Sequence, residues 1–223
     1  MTTDDNRPAS ERVRVRRRPQ RASYDRDLVR AILDEALMCR VAFVDDGQPY
    51  VLPTLHARLG DTLYFHGSQR NRMLERMLGR PICVEATVVD SLVMGRSVLE
   101  NSMNYRSVVV LGTGQEIVDA AEKLEAMLVL VDRLLPGRRP ELRPLTDAEL
   151  RSSRVVAVPL EECSAKVRTG PPADREADRD LPVWAGELPL RIVPGVPVPA
   201  PHVPAGVEPR EGVVSWGSGR SGV

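Results

Sequence analysis

The chain has 223 residues, 42% of them hydrophobic, with 31 basic and 31 acidic side chains and a formal net charge of zero. That length and apolar content suit one domain with tails, and the neutral balance gives no global basis for nucleic-acid binding. The three cysteines, Cys39, Cys83 and Cys163, are widely spaced in apolar contexts, which argues against a disulfide framework or a zinc site. Only Lys123 and Lys166 are lysines, so arginine supplies nearly all of the positive charge and every arginine site has to be argued locally.

Residues 1–22 hold a locally very basic run, RVRVRRRPQR at 12–21. They are expected to form a disordered, solvated tail rather than a nucleic-acid or membrane arm. The start MTTDDNRPAS lacks the apolar run of a secretory signal, and no stretch nears the roughly 20 residues of a membrane span, so a cytoplasmic location is expected. A helix is expected from Ser23, its cap, with Leu28, Val29, Ile32, Leu33 and Leu37 as its apolar stripe. Arg40 to Val44 reads as a strand, and Asp45-Asp46-Gly47 as a hairpin turn. A second strand spans about Tyr50 to Arg58, where Pro53 points to an edge position or a bulge. Gly60-Asp61 turns the chain into a third strand, Thr62 to His66. Residues 69–79 give a short amphipathic helix ending at Gly79.

Ile82 to Val93 and Tyr105 to Val118 are long strand patterns, with Gly112 and Gly114 as expected bulge points. Asp119 to Leu135 repeats apolar residues at helical spacing, and Thr146-Asp147-Ala148-Glu149 matches a capping box. Val155 to Leu160 and Cys163 to Arg168 read as extended. Ten of the 19 prolines lie in 171–223, which is expected to be an irregular extension partly docked around Trp184. About six strands and three or four helices result, joined mostly by hairpins. This pattern favours a small antiparallel barrel over 23–170, mainly β with flanking helices, over a doubly wound sheet.

The chemistry concentrates in Tyr50 to Arg72 and in Ser102 to Ser107. His66-Gly67-Ser68 closes a strand just before a basic helix, so main-chain amides, the Ser68 hydroxyl and Arg72 converge where a phosphate would fit. No Ser-His-Asp order, metal-spaced ligand set or paired carboxylates for hydrolysis is present. His66 is open to a ligand or acid role or to a structural one, and His56 reads as strand surface or interface. Glu85 and Glu100 are candidates for pairing with arginines at an interface.

The motifs PYVLPT at 49–54, LYFHGS at 63–68, SMNYRSVVVLG at 102–112, SAKVRTGPP at 164–172 and PVWAG at 182–186 resemble the pyridoxamine 5′-phosphate oxidase-like flavin-binding family, and within it the nitroimidazole-resistance branch. The resemblance implies a six-stranded antiparallel split β-barrel. It also implies a homodimer with FMN at the subunit interface, acting as a flavin-dependent oxidoreductase on a small molecule, with NAD(P)H as the donor. It places Val51, Leu52, Pro53 and Thr54 along the flavin ring and His66, Gly67 and Ser68 beside the ribityl phosphate. Asn71 and Arg72 fall at phosphate-binding positions. Arg106, Ser107, Lys166, Arg168 and Trp184 fall near the cofactor from other strands. The residue set that grips pyridoxal phosphate in the oxidases themselves is incomplete. A flavin or haem carrier or sensor of the same fold is the alternative, with a deazaflavin reductase a third.

Overall fold

A computed structural model describes residues 6–216; the outermost parts of the two expected tails, 1–5 and 217–223, lie outside the described residues. Strand β1 (Ala22–Ser23) is two residues long and leads into helix α1 (Arg26–Glu35). The cap of α1 is Asp25, whose side chain accepts from the amides of Asp27 and Leu28. Ser23 is therefore not the cap; it pairs with Ala165 as part of a sheet. Val29, Ile32 and Leu33 of α1 are buried, as its apolar spacing requires.

Strands β2 (Cys39–Asp45) and β3 (Gln48–Thr54) form the expected hairpin. Asp46 and Gly47 take φ of 49° and 81°, the positive pair whose twist matches that of the flanking strands. Strands β4 (Ala57–Leu59) and β5 (Thr62–Ser68) form a second hairpin around Gly60. The strand expected from Tyr50 to Arg58 is thus two strands in different sheets. The break falls where the buried His56 ring turns inward and bonds the Leu33 carbonyl through Nε2, at 2.8 Å.

Helix α2 (Arg72–Met77) is six residues long and starts at Asn71. Long strands β6 (Ile82–Met94) and β7 (Ser102–Gly112) follow, then β8 (Gln115–Glu116), α3 (Ala120–Leu134), α4 (Asp147–Ser152), β9 (Ser153–Pro159), β10 (Glu162–Arg168), β11 (Gly186–Pro189) and α5 (Glu211–Val214). The capping box at Thr146 and Glu149 is present, with both reciprocal bonds made.

The strands make two sheets. One runs β1-β10-β7-β6-β2-β3, with β11 added to β6, and the other runs β4-β5-β9-β8. Neighbouring strands pair antiparallel throughout, and neither sheet closes on itself, which is the split-barrel arrangement. The sheet termini leave β3 as an edge, where the missing N–H of Pro53 is tolerated. Phe65, Leu63, Val41, Val84, Val110 and Val158 are fully buried, joined by Ile32 and Leu33 of α1 and by Leu74 and Met77 of α2.

The register slips at Asp90, between Val89 and Ser91, so the bulge lies in β6 and not at Gly112 or Gly114. Those glycines mark where the chain crosses from one sheet to the other. The Gly114 amide donates to the Met77 carbonyl at 2.7 Å, an approach that leaves no room for a side chain.

Segment 6–21 has little regular structure but is docked: Val13 is buried, Arg12 pairs with Glu162, and the Val15 amide donates to Tyr24 Oη at 3.0 Å. The C-terminal extension attaches through β11, a main-chain ladder to β6, and not around Trp184, which stays 66% exposed. Glu187, Ser91 and Asn104 hydrogen-bond at that ladder, with Arg168 and the Gly170 carbonyl completing a part-buried polar cluster. Among the described residues no helix is long and apolar enough to cross a membrane.

Gly114→Ala should destabilise the fold by about 1–3 kcal/mol in urea unfolding, because its Cβ would fall 2.5 Å from Val156 Cγ1 and 2.9 Å from the Met77 oxygen. Gly112→Ala, whose nearest neighbour would be Val158 Cγ1 at 3.7 Å, should be close to neutral. Equal losses at the two positions would contradict this account of the crossing.

Candidate functional site

The expected site residues fall into two groups. In the first, Val51 and Leu52 are exposed on the edge strand β3, whose outer side carries no partner strand. Pro53 and Thr54 continue that edge, and Thr54 Oγ1 donates to the Leu55 carbonyl at 3.4 Å. His66, Gly67 and Ser68 end β5, opposite Val155, Arg154 and Ser153 of β9. The two segments run beside each other: Leu55 and His66 share one recess, and the Arg72 guanidinium lies 4.4 Å from the Tyr50 ring centroid.

Much of the expected phosphate grip is already engaged within the chain. Ser68 Oγ accepts from the Arg70 amide at 3.2 Å, and Asn71 Oδ1 accepts from the Leu74 amide at 3.2 Å as the cap of α2. A Cβ on Gly67 would sit 3.1 Å from Asn71 Nδ2 and 3.2 Å from Leu74 Cδ1, so this glycine serves the contact between strand and helix. Arg72 remains half exposed, 3.7 Å from the Asp45 carboxylate, whose closer partner is Arg76. That bond to Asp45 raises the Arg76 pKa.

The second group lies on β7, β10 and the loop before β11. Arg106 divides its guanidinium between Glu35, at 2.7 Å from Nη2 to Oε1, and Asp90, at 2.6 Å from Nη2 to Oδ1. The hydrogen bonds to Glu35 and then Asp90 hold its pKa above the ordinary arginine value. Arg106 therefore ties α1 to the β6 bulge. Ser107 Oγ donates to the Lys166 carbonyl at 3.3 Å, and Arg168 is buried against Asn104 and the Gly170 carbonyl. Lys166 is half-buried and Trp184 is exposed. Glu85 pairs with Arg40 of the same chain at 2.9 Å. Strands β6 and β2 separate β7 from β3, so the two groups stand about 14 Å apart across the sheet at the usual strand spacing, and one chain does not unite them.

A recess between α3 and the β4–β5 hairpin joins residues whose common location was not evident in the sequence. Its cavity volume is about 70 Å³; it opens to solvent and is walled by Leu55, Met127, Leu130 and Leu134, with His56, His66, Arg133 and Trp216. His66 keeps an exposed edge and no hydrogen-bond partner among the described residues; the protein packed around it lowers its pKa below 6.5. His56 is 1% exposed, which places it inside the fold of one chain and not on the strand surface or interface expected for it. With Nε2–H given to the Leu33 carbonyl, its Nδ1 is a buried lone pair without a partner. Burial lowers its pKa, the Leu33 bond opposes this, and the nearby Arg133 charge lowers it further. Trp216 donates Nε1–H to the Leu134 carbonyl at 2.8 Å, closing one wall. No sequence signal joined Leu55 to His66, because the β4–β5 pairing ends with Ala57 opposite Tyr64.

These histidines give the fold a pH dependence with a definite sign. Unfolded imidazole titrates near 6.5, whereas the folded rings resist protonation. Below that value the unfolded chain binds more protons, so stability should fall as pH drops from about 7.5 to about 5.5. Urea midpoints across this range should show that slope, and His56→Gln should flatten it. A flat wild-type profile would contradict the burial of neutral His56.

A family model described as pyridoxamine 5′-phosphate oxidase matches residues 25–167. A comparison with curated proteins returned no match. Among solved structures, the flavocytochrome Anf3 from Azotobacter vinelandii is 37% identical, with 93% of this chain and 97% of that one covered and a TM-score of 0.88. The FAD and haem binding protein from Mycobacterium smegmatis is 34% identical, with 87% and 96% covered and a TM-score of 0.83. A putative 5-nitroimidazole antibiotic resistance protein from Bacteroides thetaiotaomicron is 25% identical, with 66% and 86% covered and a TM-score of 0.55. The chain belongs to the pyridoxamine 5′-phosphate oxidase family.

Proposed function

We propose that this protein is a flavin-binding redox protein that also holds a haem, with the haem in the recess of His66. The observation that carries the reading is the His66 ring, with a lowered pKa and no hydrogen-bond partner among the described residues, in the wall of a mostly apolar recess that His56 and Arg133 also line. A neutral imidazole with a free ring nitrogen is what an iron ligand requires. Leu55, Met127, Leu130 and Leu134 supply the water-excluding surface a flat apolar macrocycle needs. The donor and the apolar lining therefore match the chemistry of the group, while the cavity of about 70 Å³ would have to open to admit it. The two relatives that cover nearly the whole chain support the reading, one being a flavocytochrome and the other an FAD and haem binding protein.

The flavin belongs along β3 and the end of β5. There the unpaired edge of β3 offers main-chain donors and acceptors, and Arg72 offers a half-exposed cation. Ser68, Asn71 and Arg106 are occupied within the chain, which weakens the grip on a terminal phosphate dianion and favours FAD over the FMN expected from the sequence. A homodimer would bring Lys166 and Trp184 of a second copy to this edge. A bound flavin would supply exchange between two-electron and one-electron chemistry, and a haem single-electron and gas-ligand chemistry. His66 and the apolar wall hold and shield; Arg72 orients the anionic end of the flavin. The three cysteines are free, and burial pushes the Cys39 thiol up to about 12, which suits inert thiols in a cytoplasmic setting.

The purified protein should show the two flavin bands and a Soret band, and acid release followed by chromatography should yield FAD. His66→Ala should lose the Soret band and keep the flavin. A wild-type protein that takes up no haem on titration with haemin would contradict the haem assignment. Arg72→Ala should weaken flavin binding by about tenfold or more in a fluorescence titration, as loss of a charged hydrogen bond does. Unchanged affinity would return Arg72 to the Tyr50 ring and Asp45 alone.

A further inference from the structure

We propose, resting on the haem reading above, that the C-terminal segment 210–216 is a door on the His66 recess. It swings away from the end of α3 to admit the macrocycle and closes again over it once bound.

The recess has a cavity volume of about 70 Å³, room for a few water molecules and not for a flat macrocycle. A wall must therefore move. Most of the walls belong to the body of the fold. His56 and Leu130 are buried, and α3 lies against β4, β5 and β9. His66 is fixed in the β5–β9 ladder opposite Val155. Displacing any of these would expose apolar core, break strand pairing or break the buried bond from His56 to the Leu33 carbonyl.

The Trp216 indole forms a further wall, and it is held differently. Helix α5, just before it, buries no residue. Two ties join the segment to the end of α3 and the turn beyond it. Trp216 Nε1–H donates to the Leu134 carbonyl at 2.8 Å, and Arg210 Nε lies 2.7 Å from Glu141 Oε1. The Arg210 side chain is 70% exposed, so solvent competes for that pair. A segment held by one hydrogen bond and one surface ion pair, with little apolar burial, belongs to the part of a structure that opens locally.

The chain on the other side of the door leaves it free to swing. Its nearest upstream anchor is the Leu190 amide, which donates to the Asp90 carbonyl at 2.9 Å beside the β11–β6 ladder. Every residue from 187 to 212 is exposed, so the link 191–209 has no buried contact to lose. Five prolines between 194 and 204 remove N–H donors and keep the link from joining a sheet. Motion of 210–216 therefore leaves β11 in place. In the closed position Gly212 seats against the turn after α3, where an added Cβ would lie 3.4 Å from the Pro136 oxygen. The indole then lays a large apolar ring across the mouth of the recess, as lids do when they exclude water from a bound group.

Stopped-flow measurement of haemin uptake by the full-length haem-free protein, followed at the Soret band, tests this together with haem loss from the loaded protein to a haem-scavenging apoglobin. Wild-type uptake should level off as haemin concentration rises, because opening of the door limits it. Trp216→Phe keeps an aromatic ring in the wall but has no N–H for the Leu134 carbonyl. It should speed uptake and loss alike, by about 3- to 10-fold, the scale of one hydrogen bond, and leave the dissociation constant within about twofold. Arg210→Ala, which lies outside the recess, should shift both rates in the same direction. Both variants should keep the wild-type circular dichroism, since neither side chain is in the core. Unchanged rates in both variants would overturn the door. Faster loss with unchanged uptake would make Trp216 a simple wall contact and overturn it as well. Either result leaves the haem reading standing, because the Soret band still forms. A wild type that takes up no haemin overturns the haem reading and the door with it.

Discussion

The β6–β7 ladder is the constraint on which the rest of the molecule depends. Its strands are 13 and 11 residues long, and their length lets different parts serve different partners. Cys83 to Glu85 of β6 pairs with β2, while Ser91 to Met94 of the same strand pairs with β11. The far side of β7 takes β10, and β10 takes β1. The β2–β3 hairpin, the N-terminal entry and the C-terminal extension are therefore all registered against one ladder. The bulge at Asp90 bends that ladder and presents a carboxylate to Arg106, which also receives Glu35 from α1. One extra residue thus sets both a strand bend and the ionic tie between helix and sheet. Removing one member would leave the remaining charges part-buried and uncompensated.

The recess follows from the second, smaller sheet. Alternation along β5 sends Leu63 and Phe65 into the core and His66 outward, toward the side that α3 covers. Helix α3 meets β4 and β5 with Met127, Leu130 and Leu134 but does not fill the space around His66. The same helix end provides the Leu134 carbonyl that Trp216 uses, since the last carbonyls of a helix lack partners within it. Strand alternation, an incompletely filled contact between helix and sheet, and a helix terminus together make a site from parts distant in sequence.

Much of the fold was legible because local rules fixed it. The Asp46-Gly47 turn, the Thr146–Glu149 capping box and the edge position of Pro53 each rest on chemistry within a few residues. What was not legible required long-range information. Ser23 reads as a cap until its pairing with Ala165 is known, and Tyr50 to Arg58 reads as one strand until His56 is seen turning into the core. Arg106 reads as a cofactor contact, since nothing nearby in sequence reveals that Glu35 and Asp90 already hold it. The extent of α3 was readable, but its inner face was not: Lys123, Ala126 and Leu130 are the buried residues, set by how the helix lies on β4, β5 and β9. Trp184 was expected to anchor the extension, yet the β11 main-chain ladder does so, and proline-rich composition conceals so short a strand.

The central claim is that the His66 recess is built to hold an iron macrocycle. Diffraction at the iron absorption edge from crystals of the haem-loaded protein tests it most directly. The account predicts an anomalous peak within bonding distance of a His66 ring nitrogen, under the apolar face of α3. Iron bound at any other residue, or no ordered iron at all, would contradict it.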